Sequence, residues 1–161
     1  MKQQEEQTRL SLSMAPTFIP RYRVCIVPDS RHRARSVTIH NSTSAAEVLR
    51  PFFAGLDREQ FLVCALDAKH GLIGVNVVSM GSLTLSIVHP REVMKPLILL
   101  NASAWIAAHN HPSGDPTPSR EDRVLTTRLR EVSELMGLQL LDHVILGEPH
   151  LYSFADQGWP G

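Results

Sequence analysis

Cysteine is scarce in this chain: its 161 residues hold only Cys25 and Cys64, far apart and in no C-x-x-C pair. A disulfide framework and a cysteine-based structural zinc site are excluded, and free thiols in a reducing compartment are expected. Both cysteines fall in apolar, strand-like runs, so both are expected to be buried. No apolar run approaches the ~18 residues a membrane span needs. The first twenty residues, MKQQEEQTRLSLSMAPTFIP, have neither a basic start nor an apolar core, so no secretory signal is read there and a cytoplasmic location is expected. Net charge is also missing, because sixteen basic residues face sixteen acidic ones, and aromatics are only 6% of the chain. A chain-wide electrostatic grip on nucleic acid and a stacking platform for bases are both disfavoured. There is no H-E-x-x-H helix, no P-C-x-x-C deaminase signature and no internal repeat.

What is present fits one soluble globular domain with a real core. Residues 1–20 are polar and punctuated by proline, and read as a disordered tail; 21–161 read as the domain. Charge is unevenly spread. Between Pro20 and Arg50 six arginines stand against one aspartate and one glutamate, whereas from Pro51 onward eight basic residues face twelve acidic ones. The basic flank containing Arg21, Arg23, Arg31, Arg33 and Arg35 is read either as a solvated face or as a contact for nucleic acid or an acidic partner, with only weak nucleic-acid binding expected.

Arg21–Val27 and Ser36–His40 are short β-branched runs that predict edge strands. Ser42–Phe53 predicts a helix capped by Asn41, Ser42 or Thr43. Gln60–Leu66 and Leu72–Val78 predict strands joined by a turn at Asp67–Gly71, and Leu83–Val88 predicts a further strand. Pro90–Leu100 predicts a helix disturbed by Pro96. Trp105–Ala108 predicts a buried strand ending at His109. Ser119–Met136 predicts a helix with Leu125, Leu129, Val132 and Met136 on one face and Gly137 as its stop. Leu138–Leu146 predicts an apolar strand. Helices interleaved with strands indicate the α/β class.

The most informative segment is HNHPSGDPTPSRED, residues 109–122, which fits His-x-His, seven residues, Ser, two residues, Asp. In extended backbone His109 and His111 point to one face and can reach one ion together. Pro112 biases His111 toward extended geometry, and the Pro/Gly-rich loop to Pro118 lets the chain return with Asp122. Two imidazoles and a carboxylate suit a catalytic zinc site with a water in the fourth position. They could also hold non-haem iron in a facial triad. Ser119-Arg120-Glu121-Asp122 reads equally as an ordinary helix start, with Ser119 as N-cap and Asp122 in the first turn. The literal string His-Asn-His is not an HNH nuclease signature, whose residues are dispersed over a longer unit. Ser113 reads as a turn residue. Asp142-His143, a polar pair in an apolar strand, reads as satisfied core residues or as support that orients a metal ligand.

Leu99–Gly147, with HNHPSG and LLDH, resembles the RadC family of JAB/MPN-domain proteins, and the similarity runs from about Thr43 to Phe154. The resemblance implies a single JAB/MPN (JAMM) domain, a mixed β-sheet flanked by helices in a cytidine-deaminase-like layering. It further implies a metallopeptidase-like site in which His109, His111 and Asp122 hold one Zn²⁺. Glu59, at the entry to the strand 60–64, would serve as base and then acid, and Ser119 would stabilise the oxyanion. Glu47 is a rival for the glutamate by distance along the chain but reads as a solvated helix residue. Glu92 reads as a first-turn acid. The expected partner is a peptide or protein substrate. The helix-hairpin-helix segment usual in that family is not visible in this sequence, which counts against an alternative role as a non-catalytic, metal-containing interaction module in DNA repair or recombination.

Overall fold

The structure is a computed structural model that describes residues 20–29, 37–81 and 88–160. Helix α1 (Ser42–Leu49) starts where Asn41, in extended backbone, accepts the N–H of Ser44 through its side chain, while Ser44 returns the contact in a capping box. It continues as a 3₁₀ turn, Arg50–Phe52, because Pro51 has no N–H to extend the α ladder. Strands β1 (Gln60–Leu66) and β2 (Leu72–Met80) form a hairpin. Its turn is closed by Asp67, whose carboxylate accepts the N–H groups of Lys69 and Gly71. Helix α2 (Pro90–Leu99) opens on a proline and contains Pro96. Strand β3 (Ala104–Asn110), helix α3 (Arg120–Met136) and strand β4 (Gln139–Leu146) form a strand–helix–strand crossover, and the short β5 (Leu151–Ser153) completes the set.

The five strands make one mixed sheet in the order β2-β1-β3-β4-β5. Only the β3/β4 pair is parallel, as the intervening helix requires. Every residue of β1 and β3 is buried, the pattern of central strands covered on both faces. Alternation sorts their side chains. Leu62, Cys64, Ile106, Ala108, Val144 and Leu146 pack with α1 on one face. Phe61, Val63, Ala65, Trp105 and Ala107 pack with α2 and α3 on the other. The result is a helix–sheet–helix sandwich, an α/β fold.

Several sequence expectations need correction. Residues 21–27 are exposed and lie in no strand; alternating residue types do not make a strand unless a sheet edge receives them. Cys25 is accordingly exposed, while Cys64 is buried on β1 with its thiol pushed up to about 12 by burial. In the run expected to be an edge strand at 36–40, Thr38 makes only an isolated bridge to Gly71. β3 runs through His109 and Asn110 rather than stopping before them. Met136 is about half exposed although its spacing places it with Leu125 and Leu129. The tail at 1–19 and most of the strand expected at 83–88 lie outside the described residues; Val88 itself is buried and outside any strand.

Candidate metal centre

Strand β3 delivers the first two groups. His109 pairs with Phe61 across β1 and with Ile145 across β4, so its side chain rises on the α3 face at the sheet's centre. His111, two residues on, points the same way just past the strand's end. Between them Asn110 turns aside: its Oδ1 accepts the N–H of Gln60 at 2.8 Å, and its Nδ2 donates to the Arg58 carbonyl at 3.1 Å. The middle residue of His-Asn-His therefore clamps the backbone on both sides of Glu59.

The loop after His111 is tied to the β4–β5 turn. His111 N–H donates to the Leu146 carbonyl at 2.9 Å, and Glu148 N–H donates to the Gly114 carbonyl at 3.1 Å. Gly114 has φ 85°, in the left-handed region glycine tolerates. Asp115 caps the next turn by accepting the N–H and hydroxyl of Thr117. The chain then enters α3 at Ser119, which accepts the Asp122 N–H at 3.1 Å, while Asp122 Oδ2 accepts the Ser119 N–H at 2.7 Å and its hydroxyl at 2.6 Å. This capping box and the candidate ligand are the same carboxylate.

The three donor atoms meet in one place, all within 4.8 Å of one another. His109 Nε2 lies 3.1 Å from His111 Nε2 and 3.3 Å from Asp122 Oδ1; His111 Nε2 lies 3.6 Å from Asp122 Oδ2. His109 and Asp122 side chains are buried, while His111 is 13% exposed and marks the way in. His111 Nδ1 sits 2.7 Å from the Asp115 carbonyl, which can only accept, so Nδ1 carries the hydrogen and Nε2 of the neutral ring presents a lone pair. A lone pair, a carboxylate and a second imidazole nitrogen converge at these distances. The donor set therefore fits a divalent cation.

Burial and the shared carboxylate act on the three groups in different directions. Burial pushes the His109 pKa down, with Asp122 offsetting part of the shift. Asp122 pulls His111 up against its lesser burial. Burial alone would raise Asp122, but the adjacent His109 and His111 rings and the Ser119 hydroxyl hold it well below the usual carboxylate range. Glu59 is partly buried, and its charge also raises both histidines. Glu59 directly precedes β1, two residues before Phe61, the partner of His109 in the β1/β3 ladder.

Glu47 lies exposed on α1, across the sheet from this cluster, and Glu92 is in the first turn of α2, paired with Lys95. Ser113 Oγ accepts the Asp115 N–H within the turn. The Asp142-His143 pair separates by strand alternation. Asp142 accepts from the Ser153 hydroxyl and the Ala155 N–H, a purely structural task, with burial raising its pKa. His143 is fully buried, its pKa driven down by that burial, and its Nε2 lies 2.9 Å from His109 Nδ1. Behind it stands Thr126 of α3, which nothing in the sequence singles out: four residues after Asp122, it looks like any helix threonine.

A family model described as a RadC-like JAB domain matches residues 39–159. The chain is similar to a UPF0758 protein of Symbiobacterium thermophilum, 49% identical over 124 residues that cover 77% of this chain and 53% of that protein. It is 54% identical to one of Syntrophotalea carbinolica over 101 residues, covering 63% and 44%. It is 47% identical to one of Thermotoga maritima over 103 residues, covering 64% and 46%. The chain thus spans about half the length of the curated relatives it matches.

Proposed function

We propose, from the premise that this chain belongs to the RadC family, that its domain is a zinc-dependent hydrolase of the JAMM type that cleaves a peptide or isopeptide bond. The observation that carries the reading is the acceptor cluster of His109, His111 and Asp122, built on a buried strand end beside Glu59. Zinc held by these three groups would act as a Lewis acid and bring the pKa of a bound water to about 7.

The chain's own residues supply the rest. His109, immobile in the core, and Asp122, fixed by the helix cap, form the closed back of the site; His111 forms its open edge. Glu59 accepts the proton of the attacking water and then delivers it to the departing nitrogen, so one carboxylate serves as base and acid in turn. Asn110 keeps Glu59 at the mouth through the flanking backbone. The Ser119 hydroxyl spends its hydrogen on Asp122. To support a developing oxyanion it would turn that hydrogen outward, a contribution worth ~3–4 kcal/mol for a well-placed donor. No helix among the described residues is long and apolar enough to cross a membrane.

Metal analysis of the purified protein tests the site first: about one zinc per chain is expected for a set of three ligands with no spare. The double variant His109→Ala/His111→Ala should carry none, and full occupancy there would remove the assignment. A cleavage screen over peptide and isopeptide substrates follows. Glu59→Gln should retain zinc and lose hydrolysis, because the amide keeps the shape but cannot take the proton. An active Glu59→Gln enzyme would move the base elsewhere.

A further inference from the structure

We propose that Thr126 and His143 are positioning residues that fix the tautomer of His109 so that its Nε2 lone pair faces the metal site. The inference rests on the metal-centre reading above and adds what sets the site's hydrogen-bond polarity.

Thr126 Oγ1 lies 2.6 Å from the Asp122 carbonyl oxygen and 2.6 Å from His143 Nδ1. The hydroxyl has one hydrogen and the carbonyl has none, so that hydrogen must lie between the two oxygens. His143 Nδ1 must then carry its own hydrogen and donate it to Oγ1. The His143 ring is buried against the rings of Phe61 and Phe154 and makes no ion pair with a carboxylate among the described residues; such surroundings keep an imidazole neutral. A neutral ring with its hydrogen on Nδ1 has its lone pair on Nε2. That nitrogen, 2.9 Å from His109 Nδ1, accepts from it, which leaves His109 Nε2 bare toward His111 and Asp122.

Each bond in the chain dictates the next, and the polarity is set by a group that cannot reverse, a main-chain carbonyl. The carbonyl belongs to Asp122, whose carboxylate is the third ligand. The circuit therefore runs from Asp122 through Thr126, His143 and His109 and returns to Asp122 across the metal position. The opposite polarity would put a hydrogen on His109 Nε2, aimed at Asp122 Oδ1, and would exclude a cation.

Long-range ¹H–¹⁵N spectra of the full chain labelled at histidine, after zinc is stripped, read the tautomers without any activity assay. His109 and His143 are both expected in the Nδ1–H form. Thr126→Val, which exchanges the hydroxyl for a methyl of similar size, should erode that form in both rings, and Thr126→Ser should restore it. Zinc affinity, measured by chelator competition, should fall about 10–100-fold in Thr126→Val and in His143→Phe, the usual cost of removing a group that orients a metal ligand. His143→Gln, whose Oε1 can accept from His109 Nδ1–H, should recover most of the loss. An Nε2–H tautomer at His109 in the stripped wild type would overturn the proposal. So would a folded Thr126→Val protein with unchanged tautomers and unchanged zinc affinity. Should the wild type bind no zinc, the metal-centre reading fails by itself, and the stripped-protein spectrum still decides whether the relay exists.

Discussion

Asp122 Oδ2 accepts the N–H and hydroxyl of Ser119, while its Oδ1 faces Nε2 of His109. From the sequence alone a helix cap and a metal ligand looked like competing explanations of this residue. The geometry makes the two compatible: the capping carboxylate also faces the two imidazoles. The double duty has a measurable signature. Asp122→Ala should abolish zinc binding and also cost about 1 kcal/mol in protein stripped with chelator, the usual value of a lost helix cap. His111→Ala should abolish zinc binding too, but at smaller cost in the stripped protein, since His111 is partly exposed. Denaturant titrations of both variants with excess chelator make the comparison, and equal stabilities would mean the cap contributes nothing. The clustering of His109, His111 and Asp122 was legible because its logic is local: two extended residues and one helix start. Thr126 was not, since its partner His143 comes from β4 and nothing in the linear order announces that contact.

Elements hold the site as much as ligands do. The loop from Pro112 to Pro118 has no regular structure, yet it is pinned to the β4–β5 turn by the Glu148 N–H on the Gly114 carbonyl and by close packing at Gly147. A Cβ on Gly147 would sit 2.2 Å from the Gly114 carbonyl oxygen and 2.8 Å from Pro116 Cδ, so the two segments would have to part. Gly147→Ala is expected to lose about 1–3 kcal/mol of stability, as overpacking does. It should also weaken zinc binding although no ligand is touched. Calorimetry with and without zinc, together with chelator competition, checks both effects; wild-type zinc affinity would show that His111 is held without the turn. At this scale β1, the start of α1 and the capped ends of α3 were readable from local pattern. The run at 21–27 misled because its β-branched residues met no sheet edge, and the three-residue β5 was too short to leave a pattern.

The α/β class followed from interleaved helices and strands, but the order β2-β1-β3-β4-β5 depends on contacts between distant segments that no window of sequence contains. The same scale decides between hydrolase and nucleic-acid module. The part of the chain from residue 51 onward carries eight basic and twelve acidic residues, and the site itself presents Asp122 and Glu59. A polyanion approaching that surface meets repulsion. Arg21 and Arg23 are exposed and in no strand, and Arg31, Arg33 and Arg35 lie outside the described residues. Five arginines on a flank can neutralise phosphates and release their counterions without reading a sequence. The chain is therefore expected to bind nucleic acid only non-specifically, with a dissociation constant of ~10⁻⁴–10⁻⁶ M at physiological salt. Each phosphate neutralised should add roughly 0.7–0.9 to the magnitude of the log–log salt slope. Replacing the five arginines with neutral residues should flatten that slope and leave zinc content unchanged, because none of them is a candidate ligand. Tight binding by this chain alone, selective for a sequence or a DNA structure, would instead favour an interaction module.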